Sequence, residues 1–282
     1  MGLALDCWLL CVRHINTTSP HGREAGIVEK IIVVNDDGPR SPGLKALIEG
    51  LRTVGPVLAV VPEEGVGGRG KSITLFKPVK ARKLEEGLYL VSGTPADAFL
   101  ISLELLKPDK PAILASGINM GPNIGLDDIF HSGTLGAAIQ AALYGVPAIA
   151  ISYAIGEGLP RPSRKQMEAD LKLAAEVAAR LARSIMEGGM PENVDIISVN
   201  VPVEADLGKL VITEPLRRPF WAASGDGTTF SIRPWPGGRP SGPVGSDIWA
   251  ILEGYISISP ISIKFGHATA PLRGLLKRAG LM

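Results

Sequence analysis

Two adjacent acidic residues offer the clearest chemistry in this chain. Asp36 and Asp37 lie in the sequence Asn35-Asp36-Asp37-Gly38, at the end of the β-branched run KIIVVN (30–35). That run predicts a buried strand, and open α/β sheets bind ligands beyond the carboxyl ends of their strands. Because neighbouring carboxylates repel each other, a hard divalent cation with oxygen ligands would relieve the conflict. The same tetrapeptide is also typical of a plain acidic turn, so on its own it leaves both interpretations open.

A second loop follows a later predicted strand and has the sequence SGINMGPNIG (116–125). Asn119 and Asn123 offer amide oxygens to a metal and amide N–H groups to a phosphate. The glycines around them allow backbone N–H groups to approach an anion closely. Since glycine and asparagine are also ordinary loop residues, a flexible connector is the alternative interpretation.

A third loop, HSGTLGAA (131–138), leads into a predicted helix. Ser132, Gly133 and Thr134 lie at the helix N-terminus, where free N–H groups and the helix dipole favour an anion. A simple serine cap is the alternative use of these residues. Together with the acidic pair, the loops predict one site, in which carboxylate and amide oxygens hold a metal beside a phosphate cradle. Such a site suits hydrolysis by metal-activated water.

The stretch Gly65–Ser72 reads G-V-G-G-R-G-K-S and fits the P-loop pattern of nucleoside triphosphatases. A P-loop needs a helix directly after its Lys-Ser pair, because that helix N-terminus meets the phosphates. The following segment SITLFKPVKARKL (72–84) instead favours extended structure, and Pro78 would interrupt a helix. The sequence therefore favours a metal-dependent hydrolase, with a P-loop NTPase as the alternative.

Strand and helix patterns alternate between residues 30 and 202, which predicts an α/β fold with a Rossmann-like, doubly wound, mostly parallel sheet. The predicted strands are 30–35, 57–62, 111–117, 146–152 and 194–202, and the predicted helices are 41–55, 95–106, 134–145 and 164–189. A long loop is expected over 118–133. Beyond residue 203 the sequence favours β-hairpins, and 247–265 alternates as strands do.

The domain organisation follows from the same patterns. Residues 1–28 differ in sequence pattern from the rest of the chain, and we expect a disordered N-terminal extension or a start-site artefact there. Residues 29–282 are expected to form a single domain. Within it, 29–202 make the α/β core, and 203–282 make a protruding β-hairpin and a C-terminal arm for oligomerisation.

The overall composition limits the partners. The chain has 282 residues, is 45% hydrophobic and carries a formal net charge of +1, which gives no electrostatic reason to expect a nucleic-acid polymer as partner. No run of about 18 apolar residues predicts a membrane span. The chain has two cysteines, Cys7 and Cys11, so we do not expect a disulfide framework. We expect a cytoplasmic location instead.

Taken together, the motifs resemble the SurE family of survival-protein E nucleotide phosphatases. The resemblance covers roughly residues 30–260 and is carried, in the family's order, by IIVVNDDGPRSPGL, SGTPAD, ILASGINMGPN, HSGTLGAA, GVPAIAIS, ISVNVP and GYISISP. It implies phosphomonoesterases that need one divalent cation, Mg²⁺ or Mn²⁺, per subunit. Their substrates are nucleoside 5′- and 3′-monophosphates and, in some members, short polyphosphate. It also implies homodimers or homotetramers.

The resemblance carries site residues over by motif. Asp36 and Asp37 match the metal-binding and catalytic carboxylates, and Asn119 matches a metal-binding asparagine. The positions that match the phosphate pocket or flank the acidic pair, and are therefore expected to bind substrate, are Asn35, Gly38, Asn123, Ser132, Gly133 and Thr134. Direct attack on phosphorus by one Asp carboxylate remains an alternative to attack by water.

Two of the departures from the family pattern concern Gly67 and His131. The family commonly has a metal-binding serine where an ungapped match places Gly67, and His131 stands where the family usually has tyrosine. Loss of the serine hydroxyl predicts weaker metal binding. It also keeps open a third interpretation, a weakly active nucleotide-binding relative.

Overall fold

The computed structural model describes residues 28–234, 241–264 and 269–282. Its strands are β1 (Glu29–Val34), β2 (Val57–Pro62), β3 (Ala81–Glu85), β4 (Leu88–Val91), β5 (Lys110–Met120), β6 (Ala148–Tyr153), β7 (Ile196–Val201), β8 (Leu210–Ile212), β9 (Trp221–Gly225), β10 (Phe230–Pro234) and β11 (Ile256–Ile261). Its helices are α1 (Pro42–Leu51), α2 (Pro95–Leu106), α3 (Gly125–His131), α4 (Gly133–Leu143), α5 (Arg164–Gly188), α6 (Asp247–Leu252) and α7 (Thr269–Arg278). The extension expected over 1–28 lies, apart from Val28, outside the described residues.

Strand β1 lies near the middle of a nine-stranded sheet with the order β3-β4-β2-β1-β5-β6-β7-β11-β8. All pairs from β4 across to β7 are parallel. The outer pairs β3–β4 and β7–β11 are antiparallel, and β8 runs parallel to β11. Because β2 and β5 flank β1 on opposite sides, a topological switch point lies at the carboxyl end of β1, where open α/β sheets bind ligands.

Both faces of the sheet are covered by helices. Ile31 and Val33 of β1 belong to a core with α1 and α5, whereas Ile32 and Val34 belong to a core with α2 and α4. Successive side chains of a strand point to opposite faces, so a central parallel strand must be apolar throughout. The β-branched run of β1 meets this requirement. The predicted Rossmann-like, doubly wound α/β fold is confirmed.

Strands β9 and β10 form a separate two-stranded antiparallel sheet, which is the predicted β-hairpin. On β10, Phe230 and Ile232 are 62% and 73% exposed. After the hairpin the chain returns to the main sheet with β11 and continues into α7.

The expected loop over 118–133 was wrong in part. Strand β5 continues through Met120, and the short helix α3 occupies Gly125–His131. Asp127 and Asp128 lie in the first turn of α3, where negative charge is favourable. A helix of seven residues is too short to give a clear apolar period, so the sequence pattern did not reveal it.

Two further expectations need correction. Residues 247–252 form helix α6 instead of a strand, because Ser246 caps it by accepting a hydrogen bond from Trp249 N at 3.2 Å. Strand pairing after the P-loop-like stretch begins only at Ala81, and residues 72–80 are irregular. The apolar and β-branched residues of that segment favour a strand, but no neighbouring strand pairs with it in the described chain.

Asp247 connects the C-terminal region to helix α3. Its buried carboxylate accepts hydrogen bonds from Gly125 N at 2.6 Å and Leu216 N at 3.0 Å. Burial raises the pKa of the Asp247 carboxyl, and these backbone hydrogen bonds oppose the rise. The start of α3 is therefore fixed by a residue more than a hundred positions later in the chain.

Candidate active site

The turn after β1 brings the acidic pair to the carboxyl edge of the sheet. The fully buried side chain of Asn35 donates from Nδ2 to Gly38 O at 2.8 Å and closes this turn. Gly38 has a φ of +85°, a left-handed conformation that glycine adopts without strain. Asn35 and Gly38, both predicted to bind substrate, therefore shape the turn that presents Asp36 and Asp37.

The N-terminus of α4 packs directly against Asp36. Thr134 Oγ1 donates to Asp36 Oδ1 at 2.6 Å, and only 6% of Asp36 is exposed. A Cβ on Gly133 would lie 2.9 Å from Asp36 Oδ2, so the helix can come this close only because residue 133 is glycine. Ser132 caps the helix by accepting from Leu135 N at 3.2 Å. The predicted cradle residues thus lie at a helix N-terminus that packs against Asp36.

Both carboxylates are harder to ionise than usual. Burial raises the pKa of Asp36, against the lowering effects of the Thr134 hydroxyl and the backbone N–H groups of Thr134 and Gly133. Burial also raises the pKa of Asp37, and the nearby charge of Asp36 adds to it, while the hydrogen bond from Met120 N opposes it. A bound cation would favour the ionised form of both groups.

Asn119 lies beside the acidic pair at the end of β5. Its neighbour Met120 donates from its backbone N to Asp37 Oδ2 at 3.0 Å, which joins β5 to the turn after β1. Asn119 Nδ2 donates to Gly121 O at 2.7 Å, and no described residue donates to Asn119 Oδ1. An amide oxygen without a donor and two carboxylates are the kind of donor set that suits Mg²⁺ or Mn²⁺.

Within the described residues, no three His, Cys, Asp or Glu side chains cluster as a metal site. The predicted ligand set differs from such a cluster because one of its three members is an asparagine. The oxygen donors of Asp36, Asp37 and Asn119 therefore fit a hard divalent cation, with two carboxylates and one amide.

Asn123, predicted to bind substrate, makes hydrogen bonds that hold the loop after β5 in place. Its side-chain Nδ2 donates to Ser152 Oγ at 2.8 Å. Asn200 on β7 accepts from Asn123 N at 2.8 Å and donates from Nδ2 to Asn123 O at 3.0 Å. The loop after β5 is thus held by polar residues at the carboxyl ends of β6 and β7. Sequence reasoning did not single out Ser152 and Asn200, although each stands near the end of a predicted strand.

The P-loop-like segment crosses between the acidic turn and the first turn of α4. Val66 N donates to Asp36 O at 2.8 Å, and Gly70 N donates to His131 O at 2.7 Å. A Cβ on Gly136 of α4 would lie 2.3 Å from Gly70 O, so the two backbones are in direct contact. The segment therefore borders the same edge of the sheet as the acidic pair.

The chain after Ser72 does not continue into a helix. Thr94 Oγ1 donates to Ser72 O at 2.6 Å, and Thr74 donates to the Asp97 carboxylate from both N and Oγ1, at 2.9 and 2.6 Å. These contacts hold residues 72–74 against the N-terminus of α2, which has its own capping box between Thr94 and Asp97. A P-loop requires its own following helix. The P-loop alternative is therefore not favoured by the geometry.

Gly67 has open space around it. No heavy atom lies within 4 Å of the position that a Cβ at residue 67 would occupy. Its neighbour Val66 is hydrogen-bonded to the backbone of Asp36, so residue 67 lies one position from a contact with the acidic turn. The serine of the family pattern can be accommodated here without repacking.

Helix α3 and the hairpin form the remaining border of the site. His131 Nδ1 lies 2.6 Å from Asp127 O, and its ring meets Trp221 edge to face with centroids 5.3 Å apart. Phe220 N donates to Asp127 Oδ2 at 2.7 Å. Asp127 and His131 thus attach the base of the hairpin to α3, one residue before Ser132.

Comparison with known proteins matches the fold and these motifs to one family. The family model described as Survival protein SurE matches residues 31–221. The chain belongs to the SurE family. A relative named 5′-nucleotidase SurE, from Methanosarcina mazei, is 36% identical over 257 residues, which cover 84% of this chain and 93% of the relative. A protein of the same name from Thermofilum pendens is 35% identical over 264 residues and covers 88% and 97% of the two chains.

A solved structure agrees with this assignment. The crystal structure of a SurE protein from Aquifex aeolicus superposes with a TM-score of 0.72 at 29% sequence identity, covering 87% of this chain and 99% of that chain. The resemblance predicted from the sequence motifs is confirmed. As for membranes, none of the helices in the described ranges combines the length and the apolar character needed to span a bilayer.

The raised pKa of Asp37 gives a testable consequence. An acid whose pKa is higher in the folded than in the unfolded state favours folding below its ordinary pKa of 3.8, and this contribution is lost as the pH rises through the raised value. Asp37→Asn removes the ionisation, so we expect a higher Tm than wild type at pH 7 in EDTA. The difference should shrink as the pH falls toward 4.

Thermal unfolding at both pH values measures this effect. Asp206→Asn, at an exposed carboxylate, is the matched control and should leave Tm nearly unchanged at both. A lower Tm for Asp37→Asn than for wild type at pH 7 would contradict the expectation.

Asn200 gives a second prediction. Asn200→Ala removes both of its hydrogen bonds to Asn123 and leaves buried backbone groups unpaired, which should cost about 1–3 kcal/mol of stability. Hydrogen exchange of the amide of Asn123 should accelerate more than that of the core strands. Ser198→Ala, on the same face of β7, is the control and should leave this loop protected. Equal protection in wild type and Asn200→Ala would show that Asn200 does not hold the loop.

Proposed function

We propose that this chain is a divalent-metal-dependent phosphomonoesterase that hydrolyses nucleoside 5′- and 3′-monophosphates to nucleoside and phosphate. Membership of the SurE family, with relatives named 5′-nucleotidase, supports the nucleotidase part. The observation that carries the metal-dependent part is the contact between the acidic pair and the N-terminus of α4. A metal site and an anion-binding helix end adjoin each other there.

Asp36, Asp37 and Asn119 would hold the cation in this proposal. When bound, a divalent cation supplies Lewis-acid activation of water and neutralises charge on the phosphate. Thr134 orients Asp36 through a hydrogen bond of 2.6 Å, and Met120 N orients Asp37. The N-terminus of α4 at Ser132, Gly133 and Thr134 offers the positive end of the helix dipole to the phosphate oxygens.

The loop after β5 and the turn after β1 keep these groups in place. Asn123, with Ser152 and Asn200, fixes the loop that carries Asn119. Asn35 and Gly38 fix the turn that carries the acidic pair. Substrate contact by Asn35, Gly38 and Asn123 remains a prediction, since the side chains of the two asparagines make internal hydrogen bonds.

Assembly into a homodimer or homotetramer, turnover of short polyphosphate and a cytoplasmic location are further parts of the proposal. The exposed Phe230 and Ile232 of the hairpin and the exposed Leu272 and Leu275 of α7 support assembly through the C-terminal arm. Large apolar side chains grouped on an exposed surface commonly mark a subunit contact.

A phosphate-release assay tests the activity. The protein is incubated with AMP, GMP or a chromogenic phosphomonoester, and with Mg²⁺, Mn²⁺ or EDTA. We expect release of phosphate with metal, none with EDTA, and a large loss of kcat in Asp37→Asn, because one metal ligand loses its charge. Asp206→Asn should keep wild-type activity.

The same assay separates the alternatives. Hydrolysis of ATP to ADP without hydrolysis of AMP would support the P-loop alternative. Metal binding with no turnover of any monophosphate would support the weakly active relative.

Gly67 gives the sharpest prediction about metal affinity. Because a Cβ at residue 67 meets no atom within 4 Å, Gly67→Ser should fold normally and add a hydroxyl ligand beside the acidic turn. We expect tighter Mn²⁺ binding by calorimetry, on the order of tenfold, the factor that about 1.4 kcal/mol of binding free energy gives. Gly67→Ala adds the same Cβ without the hydroxyl and should bind Mn²⁺ as wild type does. Equal Mn²⁺ affinity of the Ser and Ala variants would contradict the role assigned to the hydroxyl.

A further inference from the structure

Lys71, the lysine of the P-loop-like segment, has its backbone against the first turn of α4. A Cβ on Gly136 would lie 2.3 Å from Gly70 O and 3.0 Å from the Cα of Lys71. Such distances are possible only because residue 136 has no side chain. The Cα of Lys71 is therefore held against the surface of α4.

That point is close to the proposed phosphate cradle. Gly133 and Gly136 are separated by less than one helical turn, about 4.5 Å along the axis. A Cβ on Gly133 would in turn lie 2.9 Å from the Asp36 carboxylate. The four-carbon stem of a lysine is long enough to reach from Gly136 to the N-terminal end of the helix.

The segment that carries Lys71 is fixed on both sides. Val66 N and Gly70 N donate to Asp36 O and His131 O, and Ser72 O accepts from Thr94 Oγ1. Each contact joins the segment to an element that borders the site. The position of the lysine is thus determined by the same turn and helices that organise the acidic pair.

The Lys71 ammonium has no partner among the described residues. Lys30, Lys83 and Lys107 each form an ion pair with a carboxylate, whereas Lys71 forms neither an ion pair nor a side-chain hydrogen bond with any residue that the structure describes. Lys71 is half-buried, in contrast to the exposed Lys77 and Lys80 of the same loop. A half-buried cation without a counter-ion, at the edge of an anion-binding helix end, is suited to bind an anionic ligand.

We propose that Lys71 binds the non-bridging phosphate oxygens of the phosphomonoester substrate. This proposal rests on the proposed function. It gives the P-loop-like segment a role in substrate binding and no nucleoside triphosphatase activity. The negative charge of Asp36 and Asp37 repels a phosphate dianion, and a cation bound to the phosphate offsets that repulsion. Lys71 is a substrate-binding residue in this proposal and takes no part in proton transfer.

Steady-state kinetics with AMP and Mn²⁺ tests the role. Lys71→Met keeps an aliphatic chain of similar length and removes the charge, and it should raise KM about tenfold or more, the range expected for one charge-assisted hydrogen bond. Because the contact is made in both ground and transition state, kcat should change little. Lys71→Arg keeps the charge and should hold KM within about threefold of wild type. Lys77→Met, at the exposed lysine of the same loop, is the matched control and should have the wild-type KM.

Two kinetic results would overturn the proposal. One is a KM for Lys71→Met within about twofold of wild type. The other is an equal rise of KM in Lys71→Met and Lys71→Arg, because then the shape of the side chain would matter and not its charge.

Calorimetric binding of AMP in the presence of Mn²⁺ keeps this test separate from the proposed activity. If the wild-type chain releases no phosphate, the proposed function fails, but AMP binding still reports on Lys71. Weaker binding in Lys71→Met with unchanged binding in Lys77→Met supports the role. Equal AMP affinity of Lys71→Met and wild type, or no AMP binding by wild type, overturns it.

Discussion

The burial of two carboxylates on consecutive residues governs the arrangement around them. Asp36 and Asp37 are withdrawn from water at the end of β1, and the pKa of each is raised by burial. The surrounding groups offset part of the free-energy cost of burying the ionised carboxylates. The hydroxyl of Thr134 and the N-terminus of α4 stabilise the charge of Asp36, and Met120 N stabilises that of Asp37. The remaining cost is what a bound cation would remove. The acidic pair thus weakens the fold when it is ionised and unliganded, which is consistent with the proposed metal site.

Close backbone contact is the second condition of the site. Helix α4 touches Asp36 at Gly133 and the P-loop-like segment at Gly136, and a Cβ at either position would overlap its neighbour. This explains why the sequence of α4 begins with small residues at the positions that face the site. Larger side chains there would separate the helix dipole from the carboxylates and open the site to water.

Much of this could be predicted from the sequence because the main elements are regular. β1 contains a continuous β-branched run over residues 31–34, α2 and α4 begin with recognisable caps, and the motifs occur in the order of a known family. The sequence also pointed to Asp36, Thr134 and Gly133, which the fold brings together. What failed was short or depended on distant contacts: α3 and α6 have too few residues for a period.

The role of Asn123 shows a different limit of sequence reasoning. An asparagine in a glycine-rich loop is equally suited to bind phosphate or to bind its own protein, and only the fold brings Asn200 and Ser152 within 3.0 Å of it. The P-loop-like segment is a second example of this limit. Its sequence matches a known pattern, but the hydrogen bonds between Thr74 and Asp97 hold the following chain against the N-terminus of α2, and no new helix begins there.

The hydrogen bonds that reach helix α3 from later in the chain have a consequence for how this protein can be divided. Asp247 holds Gly125 at the start of α3, and Phe220 is held by Asp127 within it. Helix α3 leads directly into Ser132 and the cradle. The segment after residue 202 is therefore not an appendage to a finished α/β core. A fragment that ended there would lose these hydrogen bonds to α3, so the support of the proposed site extends through the chain as far as α6.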